Sequence, residues 1–159
     1  TDSDNWKESI VMPMNYQVDP PYTVISELMQ ASEKTKNTAD WKDSLLRAIE
    51  IIGGFTAIDG ATIITQKREL IAYGAKVTRA EKSKPVSKMM VSESVSDAEP
   101  TVAHPSVVGG TRHLAGAQFV FDQRDSLALV ASQDGRFTIY VWSDELKMVH
   151  AHRIDSLLM

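Results

Sequence analysis

Two short stretches of the chain carry residue types that bind phosphate and sugar groups. The stretch Gly109-Gly110-Thr111-Arg112-His113 combines two glycines with a hydroxyl, a permanent cation and an imidazole. An apolar-periodic segment follows directly, so the first N–H groups of the expected helix would point outward beside Thr111 and Arg112. Upstream, Asp59-Gly60-Ala61 places a carboxylate at the edge of a strand-like run. A phosphate clamp and a carboxylate on one domain suggest a nucleotide ligand.

Each of these residues also has a purely structural explanation. Asp59 would orient a metal ion or a sugar hydroxyl, and the alternative is a turn aspartate that bonds its own backbone. Arg112 would neutralise a phosphate or form a surface ion pair. His113 would contact phosphate, shuttle a proton or serve as a hydrogen-bonded structural histidine. Thr111 is expected to be the helix N-cap with or without a ligand.

The order of these stretches resembles the diadenylate cyclase domain family. That family carries Asp-Gly-Ala on a strand and Gly-Thr/Ser-Arg-His-Arg at a helix start. Here they read Asp59-Gly60-Ala61 and Gly110-Thr111-Arg112-His113-Leu114. The third landmark, Ser-Glu-Glu between two strands, falls at Ser132-Gln133-Asp134. The resemblance extends over about residues 41–141 and implies a mixed α/β fold of the diadenylate cyclase type.

The resemblance also implies the ligand and the residues that bind it. It implies an adenine nucleotide or a cyclic dinucleotide, with Mg²⁺ or Mn²⁺ as a divalent metal at Asp59. In active members the aspartate assists the 3′-hydroxyl with that metal, and two domains meet face to face, which would make a homo-oligomer. The family context is cytoplasmic signalling in bacteria. The implied nucleotide-binding residues are Asp59, Gly60, Ala61, Gly110, Thr111, Arg112, His113 and Ser132.

Two departures from the family pattern bear on catalysis. Leu114 stands where the signature ends in arginine, so one phosphate-facing cation is missing, and Gln133 replaces a carboxylate. These changes favour a non-catalytic sensor domain that binds ATP, cyclic di-AMP or a related nucleotide. The first alternative is an active diadenylate cyclase that makes cyclic di-AMP from two ATP, with Asp59 as a catalytic residue. The second is a protein-interaction domain with a vestigial pocket.

Composition limits the other function classes. The chain has 159 residues, 43% hydrophobic and 24% charged, with a net charge of −4 and no cysteine. The charge argues against a nucleic-acid partner, and the missing cysteines exclude disulfides and thiolate metal sites, as fits a reducing cytoplasm. The most apolar stretch, residues 45–65, is interrupted by charges and glycines, so no membrane segment is expected.

Residue periodicity predicts the elements that would position these residues. We expect one domain over residues 1–159, with a mixed twisted central sheet flanked by helices. Helices are predicted over 24–36, 40–52 (ended by Gly53-Gly54) and 112–121. Strands are predicted over 55–65, 69–77, 126–132 and 136–142, with a turn at 133–135 and a strand or helix over 150–158. An irregular segment is expected over 1–22, and a long mobile loop or insertion over 79–108.

Two further patterns concern the last strands. Phe137, Ile139 and Val141 alternate as the expected buried face, with Tyr140 and Trp142 on the other face, where a helix would cover them or they would stack on a base. His150 and His152 alternate with one residue between them. On one strand face they would form a two-ligand metal pair, but no third ligand is evident.

Overall fold

The structure is a computed structural model that describes residues 4–93, 99–132 and 137–154. It is a mixed α/β chain with two sheets, which confirms the predicted class. The chain divides into a small unit, Val11–Lys76, and a large unit made of Thr1–Ile10 and Val77–Met159. The prediction of a single central sheet was wrong, because each unit pairs its strands within its own sheet. The single domain and its likeness to diadenylate cyclases stay predictions.

The small unit is a three-stranded antiparallel sheet with three helices. Its strand order is β1-β3-β2. Along the chain its elements are β1 (Tyr16–Tyr22), α1 (Val24–Met29), α2 (Glu33–Lys36), α3 (Ala39–Thr56), β2 (Ala61–Ile64) and β3 (Leu70–Ala75). One predicted helix over 24–36 is therefore two short helices.

Helix α3 begins one residue before the predicted start at Asp40 and ends later than predicted. Its N-cap, Thr38, accepts a hydrogen bond from the Trp41 amide at 3.3 Å. The predicted end at Gly53-Gly54 was wrong, since the helix continues to Thr56. Phe55 lies in this last turn and stacks on Tyr73 of β3 with ring centroids 4.5 Å apart. Packing against the sheet therefore outweighs the low helix propensity of the two glycines.

The prediction of an irregular segment over residues 1–22 was also partly wrong. It contains a 3-10 turn, Asp4–Ser9, and strand β1. Strand β1 is at the edge of the sheet, and its register with β3 shifts between Gln17 and Tyr22, where Pro20 and Pro21 lie. An edge strand tolerates prolines because it pairs on one side only.

The large unit is a five-stranded sheet with one long helix. The strand order is β5-β4-β8-β7-β6, with β4 and β8 parallel and the other neighbours antiparallel. Its elements are β4 (Met89–Glu93), β5 (Thr101–Ala103), α4 (Thr111–Asp122), β6 (Leu127–Ala131), β7 (Phe137–Ser143) and β8 (Met148–Ile154). Strands β6 and β7 pair as the predicted hairpin, although its turn at 133–135 lies outside the described residues.

The segment over 79–108, predicted as a long mobile loop or insertion, supplies two strands of this sheet. Strand β4 pairs with both β8 and β5, and Met89 at its start is fully buried. The sequence obscured it because Ser and Lys residues surround a short apolar run, Met89-Met90-Val91. Residues 94–98 of this segment lie outside the described part.

Helix α4 covers one face of the five-stranded sheet, and the hydrophobic core of this unit lies between them. Tyr140, Val149 and Ala151 are fully buried beneath it. The predicted buried face of β7 was therefore wrong: Phe137, Ile139 and Val141 are only half-buried. The predicted helix cover is confirmed at Trp142, whose ring meets Phe121 of α4 edge-on with centroids 6.1 Å apart.

Gly116 lets α4 approach this sheet closely. A Cβ at that position would lie 3.0 Å from a methyl of Val130 and 3.4 Å from the Tyr140 ring.

The described helices include none whose length and hydropathy would let it cross a bilayer.

Candidate functional site

The glycine-rich stretch does lead into a helix, but one residue earlier than expected. Gly110 is the N-cap of α4, and Thr111 is its first residue, so the prediction of Thr111 as N-cap was wrong. The amides of His113 and Leu114 both donate to the Gly110 carbonyl oxygen, at 3.0 and 3.2 Å. The amides of Thr111 and Arg112 have no hydrogen-bond partner among the described residues. Two N–H groups at the positive end of α4 therefore remain for a ligand.

Position 109 requires a glycine because the ring of His113 lies against its backbone. A Cβ on Gly109 would stand 2.7 Å from Nε2 and 2.9 Å from Cγ of that imidazole, both too close for real atoms. Gly110 has no such neighbour within 4 Å. Because Gly109 has no side chain, the backbone can pass in contact with the His113 ring.

His113 is directed into the fold. Its side chain is buried between α4 and β7, and Nδ1 lies 2.8 Å from the hydroxyl of Tyr140. Burial raises the pKa of Tyr140 well above its usual range, so that hydroxyl keeps its proton. Nε2 lies 3.5 Å from Ser132 Oγ, so the fold brings two predicted site residues together. These contacts favour the structural alternative for His113.

A pocket of about 350 Å³ opens beside the first turn of α4. Its volume falls within the range of small-molecule sites, about 300–1,000 Å³. All of its lining residues belong to the large unit, and none is acidic: Val77, Thr78, Arg79, Pro85, Val86, His104, Thr111, Leu114, Ala115 and Gln118. Leu114, at the position where the resemblance implies an arginine, forms part of the apolar wall of this pocket.

Two of the polar residues that line this pocket, Arg79 and His104, were not predicted from the sequence. Arg79 is distant in the chain from the glycine-rich stretch, whereas His104 shortly precedes it. His104 accepts a hydrogen bond from the Ser106 amide through Nδ1 at 3.2 Å, which fixes its ring. Both belong to the segment predicted to be a loop, and no motif or spacing in the sequence connects them with Thr111.

One wall of the pocket is anchored to α4 by side chains. Gln118 accepts from the Val86 amide at 2.9 Å and donates to the Lys84 carbonyl at 3.1 Å. One turn later, Asp122 accepts from the Ala80 amide at 2.9 Å and from the hydroxyl of Ser83. These bonds hold the chain on both sides of Pro85 against the helix.

Arg112 is exposed on the first turn of α4. Its guanidinium makes no ion pair or hydrogen bond with any residue that the structure describes, so the surface ion pair is not observed there. A free guanidinium beside open helix amides can bind an anion with two parallel hydrogen bonds.

Asp59, Gly60 and Ala61 belong to the small unit. Asp59 is exposed in the connection between α3 and β2, and Ala61 begins β2 opposite Ala75. Gly60 has φ +115°, and a Cβ there would lie 2.7 Å from the Gly74 carbonyl oxygen. The glycine of this motif is therefore needed by the turn itself. Whether Asp59 shares a site with the residues of α4 stays a prediction.

The predicted pair of histidines is on one strand face. His150 and His152 of β8 are half-buried, with ring centroids 3.8 Å apart. Ser92 of β4 places Oγ 3.0 Å from His150 Nε2 and 3.1 Å from His152 Nδ1. Burial, and secondarily the neighbouring His152, lowers the pKa of His150. Across the described ranges, no three His, Cys, Asp or Glu side chains cluster in a way that could hold a metal ion.

Comparisons with known proteins do not assign this site. No protein-family model matches the chain, and the searches of curated proteins and of solved structures find no match either.

Proposed function

We propose that this chain is a non-catalytic nucleotide-binding sensor domain resembling the diadenylate cyclases, with ATP, cyclic di-AMP or a related adenine nucleotide as its ligand. The observation that carries the proposal is the pocket beside the first turn of α4. It combines an apolar wall with the cationic side chain of Arg79, and it lies beside a helix start with two open amides. The sequence motif and this geometry point to the same end of the same helix.

The phosphate end of the ligand would bind at the helix start. The amides of Thr111 and Arg112 and the Thr111 hydroxyl would donate to phosphate oxygens, and Arg79 adds a permanent charge in the pocket. Arg112 would approach from the exposed side. Hydrogen bonds in which one partner is charged contribute about 1.5–3 kcal/mol each. Arg79 and Arg112 would together supply two such cations for an anionic ligand.

The apolar wall suits an aromatic base. Val86, Pro85 and Leu114 are contiguous with the polar group at the helix start. Small-molecule sites commonly join an apolar enclosure to a few placed polar groups, and an adenine with phosphate needs both. The absence of acidic side chains from the lining avoids repulsion of the phosphate.

Leu114 is the main reason to propose binding without catalysis. An arginine at that position would stabilise charge that develops on phosphate during transfer. Removing one preorganised donor of this kind commonly lowers a rate by about 10²–10³-fold. Leucine cannot supply the charge, and it makes the wall apolar instead. A divalent metal would arrive with the nucleotide phosphates, whose oxygens would be among its ligands.

The proposal is tested by thermal-shift measurements with ATP, cyclic di-AMP and a non-adenine nucleotide, each with and without Mn²⁺. A ligand that binds only the folded chain raises the melting temperature by mass action. We expect a shift with an adenine nucleotide that is reduced in Arg79→Ala. Arg47→Ala is the matched control, because it removes an exposed arginine from α3 in the small unit.

The two alternatives give different outcomes in the same experiment. Formation of cyclic di-AMP from ATP and Mn²⁺ would identify an active cyclase. Absence of any shift across the nucleotide set would favour the interaction domain with a vestigial pocket.

A further inference from the structure

The face of the five-stranded sheet opposite α4 carries a polar cluster at its centre. Strand register aligns one side chain from each strand across this face. The row consists of Leu127, Val141, His150, Met90 and Val102. The two ends of the row are exposed, Leu127 to 57% and Val102 to 54%. The imidazole of His150 thus lies on the middle strand of the sheet, between apolar neighbours.

His152 extends this cluster along the same strand. Residues two apart on a strand point to the same face, and the rings of His150 and His152 are 3.8 Å apart at their centroids. Ser92 of the parallel neighbour β4 is level with His152. Its Oγ is 3.0 Å from one ring nitrogen and 3.1 Å from the other. Two imidazole nitrogens and one hydroxyl oxygen therefore converge on a small volume.

We propose that this cluster, His150, His152 and Ser92, is a binding site for a borderline divalent transition-metal ion such as Zn²⁺ or Ni²⁺. The ion would bind between His150 Nε2 and His152 Nδ1, with the Ser92 hydroxyl beside it and water completing the coordination. Imidazole nitrogen is the preferred neutral ligand of these ions. The inference is independent of nucleotide binding at α4.

Metal binding at this site would leave both imidazoles and the Ser92 hydroxyl uncharged. The single hydroxyl hydrogen of Ser92 donates to one ring nitrogen, so the other nitrogen donates to Oγ in the metal-free chain. Metal binding requires that this second ring moves its N–H to its other nitrogen, which is the alternative neutral tautomer. Both imidazoles then present lone pairs to the metal ion.

The ligand set predicts the strength and selectivity of the site. Two imidazoles and a hydroxyl bind more weakly than the four ligands of a structural zinc site. Affinity should follow the general order for nitrogen ligands, Zn²⁺ and Ni²⁺ above Mn²⁺. The chain contains no cysteine, so no thiolate competes for the ion.

The test is calorimetric titration of the untagged chain with ZnCl₂ and NiCl₂. We expect one equivalent to bind the wild type, and affinity to fall at least tenfold in His150→Asn and in His152→Asn. His104→Asn is the matched control, since His104 is an exposed histidine on another element. Equal affinity in all three variants, or loss in His104→Asn alone, would overturn the proposal.

A second measurement needs no variant and therefore does not depend on how well the substituted chains fold. Substoichiometric NiCl₂ should broaden the imidazole proton NMR signals of His150 and His152 before those of His104 and His113. Broadening that begins at His104 or His113, or none at an excess of NiCl₂, would contradict the site.

Discussion

Gly109 and Gly110 are adjacent in the sequence but have different roles in the structure. The first lies against the His113 ring, while the second has open space where a Cβ would be. His113 in turn reaches Tyr140 and Ser132, so the backbone of the glycine stretch is fixed by a buried side chain. At this scale the motif residues divide into those that shape the helix start, Gly109 and His113, and those that face outward, Thr111 and Arg112.

Replacing the two glycines by alanine separates these roles. We expect Gly109→Ala to lower the free energy of unfolding by about 1–3 kcal/mol, the usual range for forced overpacking. Gly110→Ala should change it by less than about 1 kcal/mol, since only the modest N-cap preference of glycine over alanine is lost. Urea titration of both variants measures the difference. Equal effects would mean that the histidine does not lie against Gly109.

At the scale of elements, α4 is the helix that organises the large unit. Its inward residues cover the sheet, and Gln118 and Asp122 hold residues 80–86 on its flank. The sequence predicted this helix within one residue at each end because its apolar spacing is regular. It could not predict β4, since that strand is short and its pairing partner β8 is distant in the chain. Arg79 and His104 were missed because no motif or spacing in the sequence connects them with the start of α4.

The anchoring role of Asp122 is open to a direct measurement. Asp122→Ala removes the acceptor for the Ala80 amide and the Ser83 hydroxyl, and bonds to a charged acceptor contribute about 1.5–3 kcal/mol. We expect the free energy of unfolding to fall by about that amount. Asp43→Ala, which removes an exposed carboxylate from α3, should leave it nearly unchanged.

A second readout links this anchor to the pocket. If Asp122→Ala is as stable as Asp43→Ala, the anchoring bonds do not hold this wall. If both variants fold but only Asp122→Ala loses the nucleotide-dependent thermal shift, the wall is needed for binding.

At the scale of the whole molecule, the mixed α/β class and the order of the main helices follow from the sequence. The division into two units does not, because it depends on long-range strand pairing: β3 pairs with β1 and β2, while β8 pairs with β4 and β7. Local patterns specify which residues can pair, and tertiary packing decides between partners.

Global stability should depend on pH through His150. Burial lowers the pKa of His150 in the folded chain, whereas the unfolded value is about 6.5. The unfolded state therefore takes up the proton first as the pH falls, so the stabilising contribution is complete above about pH 6.5 and is lost below it. Urea titrations at pH 7.5 and pH 5 in chelator should show a smaller loss in His150→Asn than in the wild type. An identical loss in both would contradict the burial of this imidazole.

The measurement that tests the central claim most directly is calorimetric titration of wild type, Arg112→Ala and Arg47→Ala with ATP and with cyclic di-AMP. We predict that the wild type and Arg47→Ala bind one of these nucleotides with equal affinity. Arg112→Ala should bind it roughly ten- to a hundredfold more weakly, since losing one charge-assisted contact costs about 1.5–3 kcal/mol. Unchanged affinity in a folded Arg112→Ala would place the ligand away from the start of α4. No binding of either nucleotide by the wild type would contradict the sensor function itself.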